Sequence, residues 1–183
     1  MKKAVVFLIV LGIFSVGMIL TGCGTIPPAE VLPPGSNTAK VYFIMPSGVT
    51  VTGFGAITVG INFSLWYSDT FLSYISGRDY LVLNFPAGVN FISALGNNVS
   101  IVKANLVAGK NYYLRVTTLP GFNTPHVMLS LIDPQDPVLD ELIDKDCKEI
   151  TPNGKVSEDM VEKVAKALAD AQNDPEKIDL VIR

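Results

Sequence analysis

Between residues 40 and 132 apolar side chains recur at every second position or in short unbroken runs, and Gly, Pro, Asn, Ser or Asp closes each run. Leu81, Leu83 and Phe85 share one face of an extended segment, and Tyr112, Leu114 and Val116 oppose Tyr113, Arg115 and Thr117. β-Branched and aromatic residues dominate, which disfavours helix. Strands are expected at 39–45, 56–61, 64–67, 80–85, 89–94, 99–106, 112–118 and 126–132, a spacing that predicts an antiparallel β-sandwich over 39–132.

One octapeptide recurs. Asn84-Phe85-Pro86-Ala87-Gly88-Val89-Asn90-Phe91 returns 21 residues later as Asn105-Leu106-Val107-Ala108-Gly109-Lys110-Asn111-Tyr112. Each copy places Ala-Gly between two strands, where glycine accepts a backbone conformation that side chains resist. So short a match marks two turns and does not require a repeat architecture.

The period changes after residue 133. Asp136-Pro137 can open a helix with Val138, Leu139, Leu142 and Ile143 on one side, reaching about Cys147. Ser157 reads as the N-cap of a second helix, with Glu158 and Asp159 in its first turn and Val161, Val164, Ala165 and Leu168 on one face. Asp159 with Lys163 and Glu162 with Lys166 would pair outside, and Asn173-Asp174-Pro175 would end the helix. Ile178, Leu180 and Ile182 permit a last strand, with a loose tail as the alternative.

Residues 1–22 are of another kind. Lys2 and Lys3 precede a 17-residue uncharged, mainly apolar run, 4–20, which Leu20-Thr21-Gly22-Cys23 closes. That tetrad resembles the lipobox of bacterial lipoprotein precursors. The resemblance implies cleavage between Gly22 and Cys23, diacylglycerol on the Cys23 thiol and often an acyl (palmitate-type) chain on the new amine. At about 0.8 kcal/mol per buried methylene, two or three chains hold where one binds reversibly. A retained anchor helix is the competing reading. Residues 24–38 contain four prolines in two pairs and read as a semi-extended tether.

Composition sharpens this division. The apolar fraction of 49% and mean hydropathy of +0.38 owe much to residues 1–22. The formal charge of −3 becomes −5 once Lys2 and Lys3 are set aside, which argues against nucleic acid as a partner. Residues 24–132 carry +2 and residues 133–183 carry −7, so an acidic helical extension is expected to pack on a low-charge sandwich.

The stretches Phe85-Pro86-Ala87-Gly88 and Ala108-Gly109-Lys110-Asn111-Tyr112-Tyr113-Leu114-Arg115 resemble those of uncharacterised small bacterial lipoproteins with a domain of unknown function. That group has a Pro-Gly turn, then a Gly-Lys turn and a Tyr-Tyr strand. The likeness covers about 40–132 and implies a transthyretin-like or immunoglobulin-like sandwich without an assigned reaction. Where the group tends to carry His after the first glycine, this chain has Asn90.

Candidate chemistry is sparse. His126 is the one histidine, so neither a two-histidine metal site nor a histidine-rich catalytic cluster can be assembled, and no metal or cofactor is expected. Asp69 and Asp79, with His126, are the residues a hydrolase would have to use. The segment 149–160 echoes the second half of a calcium loop, but Glu149 and Thr151 stand at early ligand positions and Met160 where a bidentate Glu belongs. Asn153-Gly154 is therefore expected to be a turn. Cys147 is the one thiol besides Cys23, either buried or paired between chains. Trp66, Tyr67, Phe71 and Tyr74 could line an aromatic groove for a small ligand or glycan, although core packing is the commoner fate of such rings.

The expectation is a non-enzymatic cell-envelope lipoprotein, an interaction or accessory module held to the membrane through Cys23 and meeting an envelope protein partner. In a host with two membranes it would sit in the outer one facing the periplasm, because Gly24 stands where lipoproteins kept in the inner membrane of enteric bacteria commonly have Asp.

Overall fold

In the computed structural model of the 183-residue chain, residues 25–28, 33–35, 37–46, 49–52, 55–58, 61–120 and 125–182 are described. The expected leader and the Gly22/Cys23 cleavage pair lie outside them. The fold is a mainly β sandwich of two five-stranded sheets.

The first sheet runs in the order β11 (His126–Ile132), β10 (Asn111–Leu119), β2 (Thr38–Met45), β7 (Asp79–Pro86), β12 (Lys148–Ile150). The second runs β14 (Leu180–Ile182), β9 (Val99–Leu106), β8 (Gly88–Leu95), β5 (Asn62–Tyr67), β6 (Thr70–Ser76). Two further pairs are β1 (Thr25–Ile26) with β13 (Val156–Ser157) and β3 (Val49–Thr52) with β4 (Gly55–Thr58). Three pairings are parallel, β2 with β10, β7 with β12 and β9 with β14.

Period-2 patterning fills the space between the sheets. Val41, Phe43, Leu81, Leu83, Phe85, Leu114 and Val116 from the first sheet meet Phe63, Leu65, Ile92, Ala94, Val102 and Ala104 from the second. At about 1.5–3 kcal/mol for each large side chain removed from water, this layer is the main source of stability. The two Ala-Gly turns carry the chain between the sheets at one end of the sandwich: Gly88 (φ +110°) joins β7 to β8, and Gly109 (φ +76°) joins β9 to β10. Asn90 is buried and its Nδ2 donates to the Pro86 and Gly88 carbonyls, which ties the first turn to the base of β8.

The outer faces are covered as well. Helix α1 (Val138–Glu141) continues into a π-helical turn, Leu142–Asp146, and buries Leu139 and Leu142 with Ile44 and Ile132 on the first sheet. Helix α2 (Glu158–Asn173) lays Val164, Leu168 and Ala171 over Trp66, Phe71, Leu95 and Ile101 of the second. With a core on both sides, β5 reads as a nearly continuous apolar run.

Several expectations meet a different structure. Of the strand expected at 56–61, residues 56–58 fall in β4 (Gly55–Thr58), 59–60 lie outside the described residues, and Ile61 precedes β5, which begins at Asn62. The expected strands omit 70–76, where β6 runs with Phe71, Ser73 and Ile75 buried in alternation. Ala165 is exposed, because the buried stripe of α2 runs through Val164, Leu168 and Ala171. Ser157 stands at the N-cap of α2 with the extended backbone that position favours, but its side chain makes no cap hydrogen bond. Lys163 donates to the Asn97 carbonyl at 3.0 Å, and the ion pair formed among the described residues is Lys177 with Asp170, 3.5 Å apart.

One side of the sandwich is closed by side chains. β11 is the outermost strand of its sheet, yet the Val127 N–H donates to Asn98 Oδ1 at 2.7 Å and Asn98 Nδ2 donates to the Val127 carbonyl at 2.9 Å. The Leu129 N–H donates to Ser100 Oγ at 3.0 Å. Asn98, from the turn joining β8 to β9, and Ser100, on β9, thus stand in for a neighbouring strand.

Candidate functional site

The four candidate aromatics do not share a groove. Residues alternate along β5, so Trp66 points toward α2 while Tyr67 points into the inter-sheet core, edge-on to Phe85 at 5.3 Å. Trp66 is 0% exposed and Phe71 1%. Trp66, Phe71 and Tyr74 form a chain of edge-to-face contacts with centroids 5.4 and 5.3 Å apart, worth about 0.5–1.5 kcal/mol each beyond their burial. The Trp66 indole N–H donates to Ser64 Oγ at 2.9 Å, so its polar end is satisfied inside the protein.

Tyr74 lines an opening. Beside the first turn of α2 lies a cavity of about 310 Å³ lined by Asn62, Ser64, Tyr74, Leu95, Gly96, Asp159, Met160 and Lys163. The Tyr74 hydroxyl donates to the Lys155 carbonyl at 3.3 Å. Its ring is met by the strap 151–155: the Tyr74 N–H donates to the Asn153 carbonyl, and Gly154 (φ +92°) passes close enough that a Cβ there would collide with the ring.

That strap is the segment resembling half a calcium loop, and its polar groups are engaged elsewhere. Glu149 accepts from the Tyr80 hydroxyl at 3.1 Å, the Asn153 N–H donates to Ser73 Oγ at 3.1 Å, and Asn153 Nδ2 donates to the Thr151 carbonyl at 3.2 Å. Among the described residues no three His, Cys, Asp or Glu side chains converge as a metal site would need.

The three residues a hydrolase would use are dispersed. Asp69 is exposed in the turn between β5 and β6. Asp79 opens β7 and accepts from the backbone N–H and hydroxyl of Ser76. His126 opens β11, three strands away across the same sheet, a lateral separation of about 14 Å. No proton can pass directly between them.

Cys147 is a free, half-buried thiol packed beside Ile44, Leu139 and Leu142. Burial, with the Asp146 and Asp79 carboxylates nearby, pushes it up to about 11, and Arg78 works the other way. It is neutral at physiological pH and a poor nucleophile. The Tyr42 hydroxyl is likewise raised, by burial and by Tyr113 and Glu149.

What sequence reasoning missed is the fate of the segment just after Cys23. Within the stretch read as a tether, Thr25 pairs with Ser157 and Ile26 with Val156, antiparallel, next to α2. Two residues rich in neither period nor length leave no signal for such a strand.

Comparison with family models, with curated proteins and with solved structures returns no match. Among the described residues no helix is long and apolar enough to cross a membrane.

Proposed function

We propose that this chain is a lipid-anchored cell-envelope lipoprotein whose sandwich is a non-enzymatic interaction or accessory module. The observation that carries the reading is Leu20-Thr21-Gly22-Cys23 at the end of an apolar run, with the first strand opening only two residues after the cysteine. Diacylglycerol on the Cys23 thiol would hold the domain at a membrane, and Gly24 favours the outer one in a host that has two. The dispersal of Asp69, Asp79 and His126 supports a non-catalytic role. The burial of Trp66 and Phe71 weighs against an aromatic ligand groove.

The test is intact-mass measurement of the protein recovered from its native host's membranes. A chain beginning at Cys23 and carrying diacylglycerol is expected, with Cys23→Ser accumulating as uncut precursor. Normal maturation of that variant would refute the reading. Density-gradient fractionation then places the mature protein, and co-sedimentation with inner-membrane markers would overturn the outer-membrane assignment.

A further inference from the structure

We propose that β1 is a clip that holds the domain against the lipid surface, with the β13/α2 corner facing the membrane. The proposal rests on lipidation of Cys23 and adds to it the geometry of attachment.

Only Gly24 separates Cys23 from Thr25, so the Cys23 Cα lies within about 7 Å of the Thr25 Cα whatever path the backbone takes. Thr25 is fixed on Ser157. A free tether over 24–38 would instead reach about 45 Å at the polyproline rise. The prolines do not lie between lipid and domain, because residues 27–37 join β1 to β2, both of which are part of the fold. An anchor this short cannot span even the headgroup layer and leave a water gap, since that layer is itself about 5–8 Å deep on each side.

The place of the anchor follows from the pairing. Thr25 sits on Ser157, the residue before Glu158 and Asp159 in the first turn of α2, so an anchor within about 7 Å of Thr25 lies at that corner. The Lys163 contact to Asn97 sets that turn at the end of the sandwich where β8 turns into β9. The Ala-Gly turns, with Lys110, are at the other end, about 25 Å away along β8. Around the corner, Lys155 and Lys163 balance Glu158 and Asp159, and Ile26 is 38% exposed. The acyl chains and not Coulomb attraction therefore hold the face down, and the occupant is a phospholipid surface of any headgroup charge.

The experiment uses the lipidated full chain carrying Cys147→Ser and one nitroxide, at Lys155→Cys or at Lys110→Cys, both exposed positions. It is reconstituted in phosphatidylcholine vesicles doped with a nickel-chelating lipid. Broadening by headgroup nickel should be severalfold stronger at 155 than at 110 and insensitive to salt. Inserting a Gly-Ser segment as long as the 24–38 stretch between Gly24 and Thr25 moves the anchor to a mean of about 20 Å and should remove the contrast. Equal broadening at both sites, or contrast untouched by the insertion, in protein whose mass shows the lipid, would overturn the clip and leave the lipoprotein reading intact. Absence of lipid on Cys23 would overturn both.

Discussion

Asn98→Ala tests the closure of the β11 edge. The substitution deletes the acceptor of the Val127 N–H and the donor to the Val127 carbonyl, bonds of 2.7 and 2.9 Å, without changing a core side chain. A made hydrogen bond is worth about 0.5–1.5 kcal/mol net, and a buried group left unpaired costs about 1–3 kcal/mol. Both bonds are partly buried, so water recovers some of the loss, and about 2 kcal/mol is expected in total. For a domain of this size that lowers Tm by about 4–8 °C. Urea unfolding gives the free energy, and amide exchange at Val127 reads the edge itself. Asn98→Asp separates the two bonds: it keeps the acceptor but sets a carboxylate oxygen against the Val127 carbonyl, so it should be no better than alanine at neutral pH. An alanine variant within about 0.5 kcal/mol of the parent, with Val127 still protected from exchange, would show that Asn98 does not close the edge.

Two other outcomes are expected. Gly154→Ala sets a methyl 2.7 Å from Tyr74 Cε2 at a φ of +92°, so it should cost about 1–3 kcal/mol and free the strap, which chemical denaturation and amide exchange at Tyr74 and Asn153 would register. Raising the Cys147 thiol from 9.0 to about 11 cuts its thiolate fraction at pH 8 about a hundredfold, and the greater nucleophilicity of a more basic thiolate returns about tenfold, so alkylation of the folded protein should run about tenfold slower than in urea. Because the folded thiol holds its proton more tightly than the unfolded one, its contribution is complete below pH 9.0 and is lost as pH rises toward 11; equal alkylation rates in the two states would contradict the assignment.

The sandwich was legible where one face alone is buried. Leu81, Leu83 and Phe85 alternate with half-buried neighbours, and β7 lies where that pattern put it. The two Ala-Gly turns were legible for a related reason, since a positive φ restricts the choice of residue. β6 was hidden because its aromatic residues, Phe71 and Tyr74, pack under α2, which gave the stretch the look of a ligand patch. The alternation of Ile178, Leu180 and Ile182 made β14 legible as a last strand, but β12 and the parallel pairing of both strands left no local mark, because register with strands far off in sequence fixes them. Among the site residues, burial of Trp66 agrees with the core packing that is the commoner fate of such rings, whereas the pairing of Thr25 and Ile26 with β13 had no signal.

Those parallel pairings have a kinetic meaning. β2 waits for β10, β7 for β12 and β9 for β14, each roughly seventy residues further along the chain. Contacts so distant must close large loops before they contribute, which places folding toward the slow, millisecond-to-second range. For a chain proposed to cross a membrane N-terminus first, residues 148–150 and 180–182 arrive last, so β7 and β9 gain their parallel partners only when nearly the whole polypeptide is on the far side.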